Sequence, residues 1–292
     1  MNMTTMGGAF TRLVRISPGS ILVLLTILLL PIPGRSQGSA YNLLGFGTPV
    51  YSANPVLEAM GGAGVASTSQ RTISDADPAS WTWLDRTRFD LAGRYDQTSA
   101  DWGPLHDQQH MVRIDGISFG TPFWAAGAGA LSFGYVSLTN ASSKLITSDT
   151  LGTTTSVSNG GANMIFFGLA ARPKSWFSLG ARLDIIVGDI RHQDNVVFKD
   201  GLADSAEFER DYAFHGVRPT LGLQLIGDSI GLDGLTLGAS YSASSALTSA
   251  RETIITPINS ALDTTVDVGG VGHYPSQLCV GLSYRFDRRY RL

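Results

Sequence analysis

Hydrophobic and polar residues alternate one by one along most of the chain after Thr87. In 88–95, Phe89, Leu91 and Tyr95 fall on one side and Arg88, Asp90 and Arg94 on the other. That period of two is the signature of a β-strand, whose successive side chains point to opposite faces. The pattern recurs at 111–121 and 126–138, where Leu131, Phe133 and Tyr135 oppose Ala130, Ser132 and Gly134. It recurs again at 162–171, and most clearly from Ser178, where Leu179, Ala181, Leu183, Ile185 and Val187 oppose Ser178, Gly180, Arg182 and Asp184. Three further strands are predicted at 214–226, 235–242 and 276–286. The connections alternate in length. Short turns such as Arg172-Pro173-Lys174-Ser175 are followed by stretches of about twenty residues (139–161, 191–211, 248–274) that read as loops.

Strands of about ten residues, short turns alternating with long loops, and aromatics near strand ends (Trp102, Phe123, Trp124, Trp176, Phe177, Tyr212, Phe214, Tyr284) fit a transmembrane β-barrel. A soluble sandwich or lipocalin-like barrel carries the same alternation with its apolar face inward. The polar faces here hold mostly Gly, Ser and Ala with a few Arg and Asp. That suits a wet lumen better than a soluble surface rich in Lys and Glu. The expected fold class is all-β: an antiparallel transmembrane β-barrel with an N-terminal hatch, about eight strands visible.

Before the first strand the alternation is missing. Leu43–Ala79 is a run of glycine-rich turns and small residues that closes on Asp77-Pro78-Ala79. Its place ahead of a barrel wall marks it as a plug. At the N-terminus Arg12 and Arg15 precede the apolar run Ile21–Leu30, which is too short to span a bilayer, and Pro31 and Pro33 break it. This reads as a secretion signal cleaved after Ser36. The organisation is therefore a signal peptide at 1–36, a hatch at 37–86 and a barrel at 87–292.

Charge narrows the function classes. The 292 residues carry a net charge of −3; losing Arg12, Arg15 and Arg35 leaves 18 basic residues against 24 acidic, a mature charge of −6. Neither value suggests a nucleic-acid partner. Cys279 is the one cysteine, which excludes an internal disulfide and a thiolate metal cluster. The five histidines show no metal-ligand spacing, and neither a metal nor a cofactor is expected. Gly227-Asp228-Ser229-Ile230-Gly231 matches the G-x-S-x-G pattern, but a strand follows where a nucleophile elbow needs a helix. It reads as a turn, and no enzymatic activity is expected. Arg88, Asp90, Arg94, Arg182, Asp184, Arg218 and Arg285 would cost several kcal/mol facing lipid at mid-depth, so they are expected to face the lumen. In the plug, Gly61, Gly62 and Gly64 permit close backbone packing. With Asp77, Pro78 and Ala79 they form the candidate hatch site.

Three segments resemble the FadL-type outer-membrane transporters of hydrophobic compounds: Tyr41–Gly47 (YNLLGFG), Glu58–Ala66 (EAMGGAGVA) and Asp77-Pro78-Ala79, which stands where that family carries Asn-Pro-Ala. The resemblance implies a fourteen-stranded barrel in the Gram-negative outer membrane, with outer-membrane lipid and a small hydrophobic ligand, such as a long-chain fatty acid, as partners. Passive, hatch-gated diffusion is the implied function; a non-transporting scaffold or secretion-complex partner is the alternative. About eight strands against fourteen implies a barrel lacking its C-terminal part. The final Gly281–Phe286 (GLSYRF) also resembles a barrel's C-terminal assembly signal, which would suit a complete eight-stranded wall. An interior of that size barely holds its own side chains.

Overall fold

The computed structural model describes residues 46–50, 52, 54–102, 105–123, 128–148, 150–199, 205–229, 231–257, 264–267 and 270–285. The expected signal peptide, Tyr41–Gly45 of the first hatch motif and the last seven residues lie outside them. The hatch segment opens with a two-residue strand β1 (Thr48–Pro49), a one-turn helix (Pro55–Ala59) and a 3-10 turn (Pro78–Trp83). The wall follows as β2 (Arg88–Trp102), β3 (Leu105–Pro122), β4 (Gly129–Ser137), β5 (Thr139–Asn140), β6 (Ser143–Ser148), β7 (Gly152–Lys174), β8 (Phe177–Phe198) and β9 (Ala206–Ile226). It continues as β10 (Leu235–Ser242), β11 (Ser245–Pro257), β12 (Thr264–Asp267), β13 (Gly270–Tyr274) and β14 (Gln277–Tyr284).

The wall is a single antiparallel sheet. Its path runs from β2 through β3, β4, β7, β8 and β9 to β11 and β12, with β10 joining β9 to β14. Each strand pairs with its neighbour in sequence, as in an up-and-down barrel. Several short strands are pieces of one long one. β10 and β11 both pair with β9, and a step at Ala243-Ser244 separates them. β4 and β6 both pair with β7, on either side of β5. Among the described residues eight wall strands result, in line with the eight or so that the alternation predicts.

The break at β5 has a structural use. Thr139 and Asn140 leave the wall to pair with Pro49 and Thr48 of the hatch. The wall stays joined across the gap through Leu138 N–H to Ala162 O, Ala141 N–H to Gly160 O and Ala162 N–H to Thr139 Oγ1. Opposite lie Gly160 and Gly161, with φ of +106° and +150°. A Cβ on Gly161 would stand 2.3 Å from Thr139 O.

The strands exceed the predicted lengths. The stretches read as loops at 139–161, 191–211 and 248–274 are largely strand: β7, β8 and β9 run to 23, 22 and 21 residues. A tilted membrane strand needs roughly 9–11. On β8 the outward apolar positions run from Phe177 to Val187, about 33 Å along the strand and ~25 Å in height once tilted. Beyond Val187, β8 continues outward with Asp189 and Arg191. From Gln193 on, no residue of β8 is buried, so the apolar alternation fades while the backbone ladder continues.

Outward and inward faces differ in chemistry. Leu179, Leu183, Ile185, Val217, Leu221, Leu278, Val280 and Leu282 are exposed. Ser178, Arg182 and Asp184 on β8, Arg218, Thr220 and Gln224 on β9, and Thr236 and Ser240 on the neighbouring β10 are buried. An inside-out distribution of this kind is stable only with hydrocarbon outside. The buried apolar cores therefore lie on the inner side of the wall rather than between two sheets. One joins Ile73, Trp81 and Leu84 to Met164 and Phe166. A second, nearer the long-loop end, joins Ile186, Ile190, Phe214 and Leu247.

Candidate hatch and lumen site

The hatch lies directly on the wall's backbone. Gly180 and Gly222 are paired neighbours on β8 and β9, and Gly238 and Gly281 are paired on β10 and β14. A Cβ on Gly180 would stand 2.4 Å from Pro78 C, and one on Gly222 2.0 Å from Asp77 Oδ1. A Cβ on Gly238 would stand 2.4 Å from Val65 O. Real Cβ atoms do not approach so closely, so only glycine serves at these wall positions.

Asp77 and Gln224 form the centre of this contact. Asp77 caps the 3-10 turn, its Oδ1 accepting from Ala79 N–H at 2.9 Å. Gln224 projects from β9 and donates from Nε2 to Asp77 Oδ2 (2.9 Å), Val65 O (3.0 Å) and Ser67 O (3.2 Å). Its Oε1 accepts from Trp83 Nε1 at 3.0 Å. Both residues are fully buried. Burial pushes the Asp77 carboxyl up to about 7, outweighing the Ala79 N–H, the Gln224 amide and the Arg182 charge, which all pull it down. Beside them Ser178 donates to Ala79 O (2.8 Å) and lies 2.9 Å from Thr82 Oγ1, which accepts from Arg172. The Arg172 guanidinium sits 4.0 Å over the Trp83 ring.

Higher in the lumen stands an ionic cluster. Asp184 is bracketed by Arg182 (2.6 Å) and Arg218 (3.0 Å) and accepts from Thr220 Oγ1 (2.8 Å). Arg182 reaches the hatch through Asp75 O at 2.6 Å. The remaining charged candidates spread along the inner face. Asp90 accepts from Ile73 N–H (2.9 Å) and Asn54 Nδ2 (3.3 Å) of the hatch. Arg94 binds Glu58 of the hatch (2.5 Å) and Asp115 of β3 (2.6 Å). The register step opposite Ala92/Gly93 turns Asp115 inward to meet Arg94 and Arg113. Arg88 pairs with Asp85, and Arg285 with Asp228, both at the short-turn rim rather than in the middle of the lumen.

The glycine trio divides. Gly61 and Gly62 have φ of +70° and +82°, with open space around them. Gly64 is buried against Leu57, Ser74 and Ala76. Pro78 and Ala79 are buried on Gly180. Three polar residues central to the contact, Gln224, Ser178 and Thr82, do not stand out in the sequence. The one local cue is that Gln224 is a large amide on a strand face that it shares with Arg218, Thr220 and Gly222. The G-x-S-x-G stretch forms a 3-10 turn, Gly227–Ser229, between β9 and β10. Among the described residues no group of three or more His, Cys, Asp or Glu is placed to hold a metal ion.

An apolar outer band, a polar inner face and a folded plug define an outer-membrane-type β-barrel; among the described residues, no helix is long and apolar enough to cross a membrane. The chain belongs to the BamG family, whose model matches residues 19–290. Among solved structures it is similar to the Ralstonia pickettii toluene transporter TbuX, at 16% identity, over 85% of this chain and 70% of that chain, with a TM-score of 0.48. No curated protein matches the sequence.

Proposed function

We propose that this protein is a plugged outer-membrane barrel acting as a membrane scaffold, with the hatch a permanent part of its wall. The observation that carries this reading is the seating of Pro78-Ala79 and Val65-Ala66 on wall glycines, locked by Gln224. Moving the hatch would break four hydrogen bonds of one buried amide and expose the Asp77 carboxyl. Each buried group left unsatisfied costs about 1–3 kcal/mol. On this reading the protein is not an enzyme, and its partners are outer-membrane lipid and other proteins of the Gram-negative envelope.

A second reading is passive transport of small hydrophobic molecules such as long-chain fatty acids, by partial displacement of the hatch. What favours it is the apolar inner surface at the long-loop end, where Ile190, Phe214 and Leu247 pack with Tyr212 and Tyr274, and Phe46 stands edge-on to Phe214.

One disulfide separates the two. Thr82 and Ser178 are replaced by cysteine in a Cys279→Ser background, tying hatch to wall. The full chain is then assayed in liposomes with a fluorescent fatty acid and, in mild detergent, for stoichiometric co-purification of a partner. A scaffold gives no uptake above empty liposomes and keeps its partner when cross-linked. Uptake by the reduced protein that the disulfide abolishes would overturn the scaffold reading in favour of transport.

A further inference from the structure

The outer face of the wall carries a polar depression at the upper limit of the apolar band. Strand register sets out the rows. Ile165, Ile185 and Val217 lie side by side on β7, β8 and β9 and close the apolar band. The next outward row is Asn163, Val187, His215 and Thr248. Above it come Asp189, Ala213 and Ala250, and above those Arg191, Asp211 and Glu252.

The small residues of the third row, set between larger neighbours, make a depression of about 420 Å³, within the range of small-molecule sites. Ala213 and Ala250 form its floor. Asn163, Asp189, His215 and Thr248 give its edge both donors and acceptors. Asp189 is its one carboxylate. The adjacent Arg191 guanidinium is engaged by Asp211 (2.9 Å) and Glu209 (3.1 Å).

We propose that this depression binds the headgroup of a sugar-bearing amphiphile in the outer leaflet. Three features select that chemistry. Mixed donors and acceptors around an apolar floor suit a hydroxylated ring. A lining with one carboxylate and no free cation disfavours a phosphate. The apolar row directly below lets an acyl chain continue down the wall. Tyr135 marks the same level, its hydroxyl donating to Asn163 Oδ1 at 2.7 Å, as expected of an aromatic at the membrane interface. The proposal needs only the barrel in its membrane, and holds for a scaffold or a transporter alike.

The test is lipid retention, read by native mass spectrometry on the full chain from nanodiscs doped equally with glucosyl-diacylglycerol and phosphatidylglycerol. The wild type should retain the glucosyl lipid about fivefold more, the worth of roughly one net hydrogen bond. Ala213→Trp, which fills the depression, and His215→Ala, which only trims its edge, should each bring retention toward parity. Ala181→Trp, lower in the apolar band, should keep the preference. Heat-modifiable gel mobility verifies that each variant is folded. Equal retention of both lipids by the wild type, a preference for phosphatidylglycerol, or a preference untouched by both depression variants would overturn the proposal. So would a co-purifying protein that shields His215 from modification.

Discussion

Gln224 Nε2 donates to Asp77 Oδ2 at 2.9 Å, a bond between residues 147 apart in the sequence, one on the wall and one in the hatch. The same amide holds Val65 O, Ser67 O and Trp83 Nε1. Two separate pieces of the hatch, 65–67 and the capped turn 77–83, thus depend on one side chain. Replacing Gln224 with leucine keeps its bulk and removes every bond. The expected loss is about 2–4 kcal/mol, since Asp77 Oδ2, two hatch carbonyls and the Trp83 indole N–H lose their shared partner. Limited proteolysis should then cut the hatch while the wall stays heat-modifiable on a gel. A hatch that resists protease as in the wild type would show that glycine packing alone retains it.

The Asp77 carboxyl gives the fold a pH dependence of unusual sign. Its ordinary value is 3.8 and its folded value about 7. Between these values the folded state holds a proton that the unfolded state has lost. Its contribution to stability is therefore complete below about pH 4 and declines as pH rises to 7, by at most about 4 kcal/mol. Asp77→Asn abolishes that decline, keeping the Oδ1 acceptor for Ala79 N–H while setting an NH₂ against Gln224. Thermal scans in detergent at pH 5 and 8 measure the effect: the wild type should melt higher at pH 5, and the asparagine variant should lose the difference. An unchanged difference would assign the dependence to another group.

Much of the wall was legible because the alternation states which face meets hydrocarbon. Arg182, Asp184 and Arg218 could be directed inward from cost alone. What escaped was governed by contacts remote in sequence or by water. The stretches at 139–161, 191–211 and 248–274 read as loops because Ser, Thr, Asn and charged residues there lack apolar alternation. Thr153, Thr154 and Thr155 nonetheless pair with Val197, Val196 and Asn195 in a regular ladder. A strand wetted on both faces has no reason to alternate. Gln224 was readable as inward-facing, but nothing local indicates that the hatch supplies its partners. Asp115 meets Arg94 only through a register step that leaves no trace in the residue pattern.

The wall glycines separate close approach from mere flexibility. Gly222→Ala sets a Cβ 2.0 Å from Asp77 Oδ1 and should cost about 1–3 kcal/mol, with the hatch becoming protease-sensitive. Gly93→Ala, whose nearest contact would be Arg113 O at 3.6 Å, should leave the hatch protected. Equal protection in both variants would mean that the hatch shifts to make room.

Asp184 offers a test of the buried ionic cluster. Asp184→Asn leaves Arg182 and Arg218 without their shared carboxylate in a buried site, an expected loss of about 3–5 kcal/mol. Arg191→Ala breaks an exposed pairing with Asp211 and should leave stability close to that of the wild type. Urea titration of the reconstituted barrel compares them. A small effect at Asp184 would mean that water enters to solvate the two guanidiniums.

Arginine substitutions along β8 can locate the membrane. Leu183 lies near the middle of the outward apolar run and is 48% exposed, which in a bilayer means exposed to lipid. Leu183→Arg should cost about 2–4 kcal/mol, and the same change at Asp189 only about 0–1 kcal/mol, because the penalty falls with distance from the midplane. Ala181→Arg should give a penalty nearer that of Leu183, and Val187→Arg one nearer that of Asp189. Folding titrations into vesicles measure the series. A profile centred on Leu183 puts the membrane boundary at the level where Tyr135 meets Asn163, while a flat profile would mean that this face of β8 does not contact lipid.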